Sequence, residues 1–147
     1  MPEKETVERA REAKREGKSP STQAGEFVHE EIEHIREGKH GARSTKQAIA
    51  IGLSKARRAG VKLPPPEQGE APKETREQAK RDLKKGAAKK KPSPARSLGA
   101  RKALKKEGRS AASKTALSRH AKQAAARRTK ADRSRAAKKA ARTRAKS

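Results

Sequence analysis

Most of the large apolar side chains of this 147-residue chain lie in residues 19–63, which read SPSTQAGEFVHEEIEHIREGKHGARSTKQAIAIGLSKARRAGVKL. In the first part of this stretch, apolar residues recur every three or four positions, as they do along one face of an α-helix. These residues are Ala24, Phe27, Val28, Ile32 and Ile35. Ser19 before Pro20 is typical of a helix start, and Gly38 is typical of a helix end. We therefore predict an amphipathic helix that ends at Glu37.

A second helix is predicted in the later part of the same stretch. The segment STKQ at residues 44–47 matches a capping box, and Gly60 marks the end of the helix, about Thr45 to Ala59. The absence of a side chain at Gly52 would let a neighbouring helix approach closely. Ile51 falls on the polar side, where a partner protein could contact it.

The two apolar faces predict a helical hairpin at residues 19–63. In this hairpin Phe27, Val28, Ile32 and Ile35 pack against Ile49, Leu53 and Ala56. On the first helix, the acids Glu26, Glu30, Glu33 and Glu37 fall on the opposite, solvent-facing side. A domain of this size is marginal without a partner, because small domains bury little surface.

The histidines of HEEIEH, residues 29–34, do not match a zinc-protease motif. His29 and His34 are five residues apart, so they lie roughly 140° apart around a helix and cannot chelate one ion. His40 adds no usable geometry. We therefore predict solvated histidines and no metal site.

The segments that flank the hairpin are highly charged. Residues 1–18 are predicted to form a charged, solvent-facing helix from Lys4 to Glu16, with Gly17 at its end. Residues 64–85 are predicted to be a proline-rich linker and a second charged helix. KETREQAKRDLKKG at 73–86 resembles KETVERAREAKREG at 4–17, either as a degraded repeat or through convergence on the same composition.

Residues 86–147 form a basic tail that holds 22 of the 42 Lys and Arg residues and only two acids, so that it carries +20 of the formal net charge of +25. Its Ala, Lys and Arg residues favour helices but offer little to bury. Weak helices are predicted near residues 95–107, 110–128 and 130–144. Like-charge repulsion should leave this tail partly disordered or helical only when a polyanion is bound. The predicted fold class is mainly α.

Composition excludes several functional classes. The chain has no cysteine, which excludes disulfides and thiolate metal sites. It has one Phe and no Trp or Tyr, so it cannot stack bases as RNA and single-strand modules do.

No catalytic constellation or phosphate-binding glycine loop is recognisable. We therefore expect a non-enzymatic protein without cofactor or small-molecule substrate. We also expect no signal segment and no membrane span, hence a cytoplasmic location.

The basic tail predicts a nucleic-acid partner, because neutralising phosphates releases condensed counterions. We expect largely sequence-independent binding to duplex DNA, with association to the nucleoid. The predicted binding residues are Lys89, Lys90, Lys91, Arg96, Arg101, Lys102, Lys105, Lys106, Arg127, Arg128, Arg133, Arg135, Lys138, Lys139, Arg142 and Arg144. A secondary basic patch is predicted from Lys46, Lys55, Arg57 and Arg58.

Two alternatives remain open. RNA or the ribosome presents the same phosphates as DNA, so charge does not separate these partners. The hairpin could instead recruit a protein partner or a second copy of the chain, with the tail acting only as a tether. A membrane-surface role is disfavoured, because the tail lacks the large apolar face of membrane-bound helices.

Two segments resemble known proteins. The segment EHIREGKHGARSTKQAIAIGLSKARRAG at residues 33–60 is similar to an uncharacterised bacterial family of short basic proteins built around KQAIAIGLSKAR, residues 46–57. This resemblance implies a bacterial source and a small helical unit. The tail, with AAKKKPSPAR and RSRAAKKAARTRAKS, resembles Lys/Ala-rich bacterial histone-like proteins.

Overall fold

Helices make up nearly all the regular structure in the computed structural model of the chain, which describes residues 2–88 and 93–146. Within these residues there are seven α-helices and one 3₁₀ turn, and no β-strand beyond an isolated bridge between Gln68 and Ala71. The predicted mainly α fold class is therefore confirmed. In chain order the helices are α1 (Lys4–Arg15), α2 (Pro20–Arg36), α3 (Thr45–Arg58), α4 (Lys73–Ala87), α5 (Pro94–Lys105), the 3₁₀ turn (Ser110–Ala112), α6 (Lys114–Ala126) and α7 (Lys130–Ala145).

The first three helices begin and end within one residue of their predicted positions. The hydroxyl of Ser19 accepts a hydrogen bond from the backbone N–H of Thr22 at 3.3 Å, and that of Ser44 accepts one from Gln47 at 3.1 Å. The Gln47 side chain reaches back as predicted, but it accepts from the N–H of Arg43, at 2.6 Å. Local capping signals are thus sufficient to place these helix ends.

α1 and α3 both pack against α2. The core between them contains the buried residues Ala10, Ala24, Phe27, Ala56 and Val61, flanked by the partly buried Val7, Leu53 and Leu63. The prediction that α1 faces solvent is therefore wrong. Its small residues Thr6, Ala10 and Ala13 are spaced four and three apart, and they form a buried strip that packs against α2.

The contact between α2 and α3 is close at Gly52. A Cβ atom at this position would lie 2.7 Å from the Cα of Val28 and 2.9 Å from its backbone nitrogen. No side chain fits at that distance without a shift of the α2 backbone. The predicted close approach at Gly52 is therefore confirmed.

Ile51 is partly buried, like Ile49 and Leu53, and so does not form the exposed apolar site that its helical phase predicts. The reason is that α4 packs on the face of α3 that carries Ser54 and Arg58, three and seven residues after Ile51. In the described parts of the chain, Leu98 is the exposed large apolar side chain, with 53% of its surface accessible.

Asp82 of α4 fixes this helix to α3. Its side chain is buried and accepts hydrogen bonds from Ser54 Oγ at 2.7 Å, Arg58 Nε at 2.8 Å and Gln78 Nε2 at 3.1 Å. The predicted linker at residues 64–85 therefore includes a helix that belongs to the packed unit. The second charged helix predicted for this segment therefore forms, but its packing against α3 was not predicted, because the α3–α4 contact is largely polar.

We expect Asp82→Ala to destabilise the packed unit by about 2–3 kcal/mol, because it leaves the Arg58 guanidinium and the Ser54 hydroxyl without their buried acceptor. Urea unfolding followed by circular dichroism measures this loss. Ser54→Ala removes one hydrogen bond only and should cost about 1 kcal/mol. Equal stability of wild type and Asp82→Ala would show that α4 is not anchored by this carboxylate.

The beginning of the basic tail also packs against the hairpin region. The backbone N–H of Gly41 donates to the carbonyl of Leu104 at 2.9 Å, and the hydroxyl of Thr45 donates to the carbonyl of Ala111 at 2.7 Å. Ala111 and Ala112 are buried. Residues 104–112 therefore act as a strap across the loop that joins α2 to α3.

The chain divides into two compact units, Met1–Ser113 and Lys114–Ser147. The division falls after the strap, whereas the charge pattern of the sequence predicts a tail that starts at residue 86, which is the penultimate residue of α4. The two boundaries differ because the strap packs through backbone carbonyl groups and small alanines, which produce no hydrophobic periodicity in the sequence.

Most of the described tail is helical, at residues 94–105, 110–112, 114–126 and 130–145, so the prediction of partial disorder is wrong for these residues. Ser93 caps α5 by accepting from the N–H of Arg96, and Pro94 follows at the first helical position. Ala, Arg and Lys are strong helix formers, and this propensity together with capping accounts for the helices despite their like charges.

Candidate nucleic-acid interface

One face of α7 carries a row of cations. Arg135, Lys138, Lys139 and Arg142 follow the spacing i, i+3, i+4 and i+7, which places them on one side of a helix. All four side chains are exposed. Arg135 forms an ion pair with Asp132 at 2.6 Å, whereas the other three have no acid within ion-pair distance in the described part of the chain. We call these four residues the α7 cation stripe.

The start of α7 is fixed by a reciprocal capping box. The Thr129 hydroxyl accepts from the N–H of Asp132 at 3.1 Å, and the Asp132 carboxylate accepts from the N–H of Thr129 at 3.2 Å. Hydrogen bonds from the Thr129 hydroxyl and N–H, with the nearby Arg135, lower the pKa of Asp132. The carboxylate is therefore ionised at neutral pH, and its contribution to the cap is lost only as pH falls through this lowered pKa.

Of the remaining predicted tail cations, the nine that the structure describes are also exposed. Four lie on α5 in the first unit and one directly follows it, while the others lie in the second unit. Lys89, Lys90 and Lys91 lie outside the described residues. The exposed set is Arg96, Arg101, Lys102, Lys105, Lys106, Arg127, Arg128, Arg133 and Arg144. Exposed cations are accessible to an external charge, whereas buried ones are not.

The predicted secondary patch is not a free basic surface. Lys46 is exposed, but Lys55 forms an ion pair with the buried Glu31, and Arg58 pairs with Asp82 at 2.8 Å. Arg57 is buried and donates to the backbone carbonyls at positions 63 and 64. Burial lowers the pKa of the Arg57 guanidinium. Three of the four cations therefore stabilise the fold instead of facing a ligand.

A groove next to the α2–α3 loop was not predicted. It is lined by Gly38, Lys39, His40 and Gly41 on one side and by Lys105, Glu107, Gly108 and Arg109 on the other. Lys39 is neutralised by Glu37 at 3.1 Å and by Glu3 at 3.3 Å, and these contacts raise its pKa. The two walls are far apart in the chain, so only the tertiary fold brings Lys105 and Arg109 beside this glycine-rich loop.

The prediction of solvated histidines holds for His29, which is exposed, but it is wrong for the next two. The side chains of His34 and His40 are only 14% and 12% accessible, and their rings meet edge to face with centroids 6.1 Å apart. They lie beside Glu31, whose side chain is 1% accessible. The α2–α3 loop folds back onto α2, and this reversal supplies the geometry that helical spacing alone does not.

Glu30, one of the four acids predicted to face solvent on α2, is buried, and so is its neighbour Glu31. The prediction of a solvent-facing row is therefore wrong at Glu30. Glu30 accepts from the backbone N–H of Glu3 at 2.6 Å. The segment that precedes α1 and the α2–α3 loop both pack on this side of α2. A polar face is therefore covered by elements that the helical pattern cannot reveal.

The model of a family of unknown function, DUF6496, matches residues 5–67. The match spans α1, α2, α3 and the extended segment after α3, which amounts to less than half of the chain. No curated protein and no solved structure matches the chain. No helix in residues 2–88 or 93–146 is long and apolar enough to cross a membrane.

Proposed function

We propose that this protein is a non-enzymatic DNA-binding protein that contacts duplex phosphates largely without regard to base sequence, as nucleoid-associated proteins do. The observation that supports this function best is the α7 cation stripe, since three of its four exposed side chains have no acidic partner in the described residues. The second unit as a whole has 13 basic residues and one acid, which gives it a formal charge of +12.

The dimensions of the stripe fit a duplex backbone. Its outer members, Arg135 and Arg142, are seven residues apart, which corresponds to about 10 Å along a helix. A duplex carries one negative charge per ~1.7 Å, so this length faces several phosphates at once. The long Lys and Arg side chains can adjust to the phosphate positions, so binding requires no fixed register of the protein with the bases.

The chain contains little that reads base edges. Asn and Gln are the residues that commonly pair with adenine in the major groove, and the chain has no Asn, while its second unit has one Gln, Gln123. Its single aromatic residue, Phe27, is buried in the core. Arg side chains remain available for guanine or for narrow minor grooves. Phosphate contacts are therefore expected to dominate both the affinity and its dependence on salt.

Fluorescence anisotropy with 30-base-pair duplexes of unrelated sequence tests this function. We expect dissociation constants that agree within about threefold at one salt concentration, since phosphate contacts carry no sequence information. Structured RNA should compete more weakly than duplex DNA of equal charge. A strong preference for one duplex would contradict sequence-independent binding, and more effective competition by RNA would identify an RNA-associated protein instead.

A further inference from the structure

The buried carboxylate of Glu31 lies between one cation and two imidazoles. Its Oε1 atom accepts a hydrogen bond from Lys55 Nζ, so this lysine pairs with only one of the two carboxylate oxygens. Its Oε2 atom lies 3.1 Å from His40 Nε2, but this contact lacks hydrogen-bond geometry, so Oε2 has no donor in the structure. A carboxylate oxygen that is shielded from water and lacks a donor is costly, and something must compensate its charge.

One coordinating atom from each of Glu31, His34 and His40 lies within 4.8 Å of the other two. Glu31 and His34 are three residues apart on α2, so they share a face of the helix, and the loop that follows brings His40 to the same place. We call these three residues the Glu31–His34–His40 cluster.

The outer contacts of both histidines determine which nitrogen is free. His40 Nδ1 lies 2.9 Å from the carbonyl of Gly41, which can only accept, so Nδ1 carries the proton and the lone pair of the neutral ring is on Nε2. His34 Nε2 lies 3.0 Å from the Glu3 carboxylate, so the lone pair of that ring is on Nδ1. Metal-binding histidines show this same arrangement, in which a carbonyl or carboxylate accepts from the nitrogen that does not bind metal.

In the neutral tautomer of His40, the Nε2 atom that carries the lone pair thus lies 3.1 Å from an acceptor oxygen of Glu31. Two acceptors at this distance repel each other unless a cation lies between them. Nearby, Oε2 of the buried Glu30 also has no hydrogen-bond donor. Two neighbouring carboxylates of α2 therefore each have one buried oxygen without a hydrogen-bond donor.

We propose that the Glu31–His34–His40 cluster binds one divalent transition-metal ion of the Zn²⁺ type. Two imidazole nitrogens and one carboxylate oxygen are a donor set that Zn²⁺ accepts readily, with water in the fourth position of a tetrahedron. The chain lacks cysteine, so no thiolate competes for the ion. Such an ion would join α2 to the α2–α3 loop, against which the strap at residues 104–112 packs.

Zn²⁺ titrated into the chelator-treated full chain, followed by calorimetry and by thermal unfolding, tests the proposal. We expect one ion per chain and a melting temperature that rises by about 5 °C or more at a hundredfold excess of Zn²⁺ over the dissociation constant. Co²⁺ used as a second probe should give the intense visible absorption of a tetrahedral site.

His40→Gln and His34→Gln should each weaken Zn²⁺ binding at least about tenfold, since each removes one of three protein ligands. His29→Gln is the matched control, because His29 is exposed on the same helix, and it should leave binding unchanged. Circular dichroism checks that each variant remains folded. The absence of saturable Zn²⁺ binding, or equal binding by all three folded variants, would overturn the proposal.

Discussion

Replacing the four residues of the α7 cation stripe by Gln is expected to weaken duplex binding by at least about a hundredfold at 0.1 M salt. The physical reason is that each lost phosphate contact no longer releases a counterion, which flattens the slope of log K against log salt by about 0.9 per contact. Four contacts correspond to a slope that is flatter by about 3 to 4. Anisotropy titrations of the full chain at several salt concentrations measure both quantities. The substitutions are Arg135→Gln, Lys138→Gln, Lys139→Gln and Arg142→Gln.

A variant with equal charge but a different location provides the control. Lys4, Lys62, Lys80 and Arg81 are exposed in the first unit, and their replacement by Gln removes the same four charges. We expect less than a tenfold loss of affinity and a nearly unchanged salt slope, since these side chains lie outside the proposed interface. Equal losses in the two variants would mean that net charge, and not the α7 stripe, governs binding.

Gly52→Val is expected to destabilise the first unit by about 3 kcal/mol, which is a large part of the stability of a small domain. The new side chain would have to occupy space within 2.7–2.9 Å of the backbone of Val28, so α2 and α3 must separate. Their separation opens the core around Phe27 and Ala56. Thermal and urea unfolding followed by circular dichroism measure the loss.

Gly25→Val is the matched control, because Gly25 is exposed in the interior of α2 and a Cβ atom added there would meet no packed neighbour within 4 Å. Valine has a somewhat higher helix propensity than glycine, so this variant should be as stable as the wild type or slightly more stable. If both substitutions were equally tolerated, the close packing of α3 on α2 at Gly52 would be disproved.

The sequence alone determined the positions of the first three helices. Serine caps, Pro20 and the helix-ending glycines encode α1, α2 and α3 to within one residue, because capping involves residues three or four positions apart. The apolar spacing also identified Phe27, Ile32 and Ile35 as core residues, and the missing side chain at Gly52 identified the close contact. The exposure of the described tail cations could likewise be expected in advance, since exposed charge needs no tertiary partner.

Only the tertiary structure decided which polar residues are internal. Glu30 reads as solvent-facing from its helical position and Arg57 as part of a basic patch, yet both are buried, and so is Asp82. Glu30 contacts the segment before α1, and Asp82 contacts α3. Polar contacts of this kind depend on individual hydrogen bonds, which leave no periodic signal in the sequence. For the same reason, the sequence did not predict the His34–His40 contact or the strap at residues 104–112. Both form when the α2–α3 loop folds against other parts of the chain.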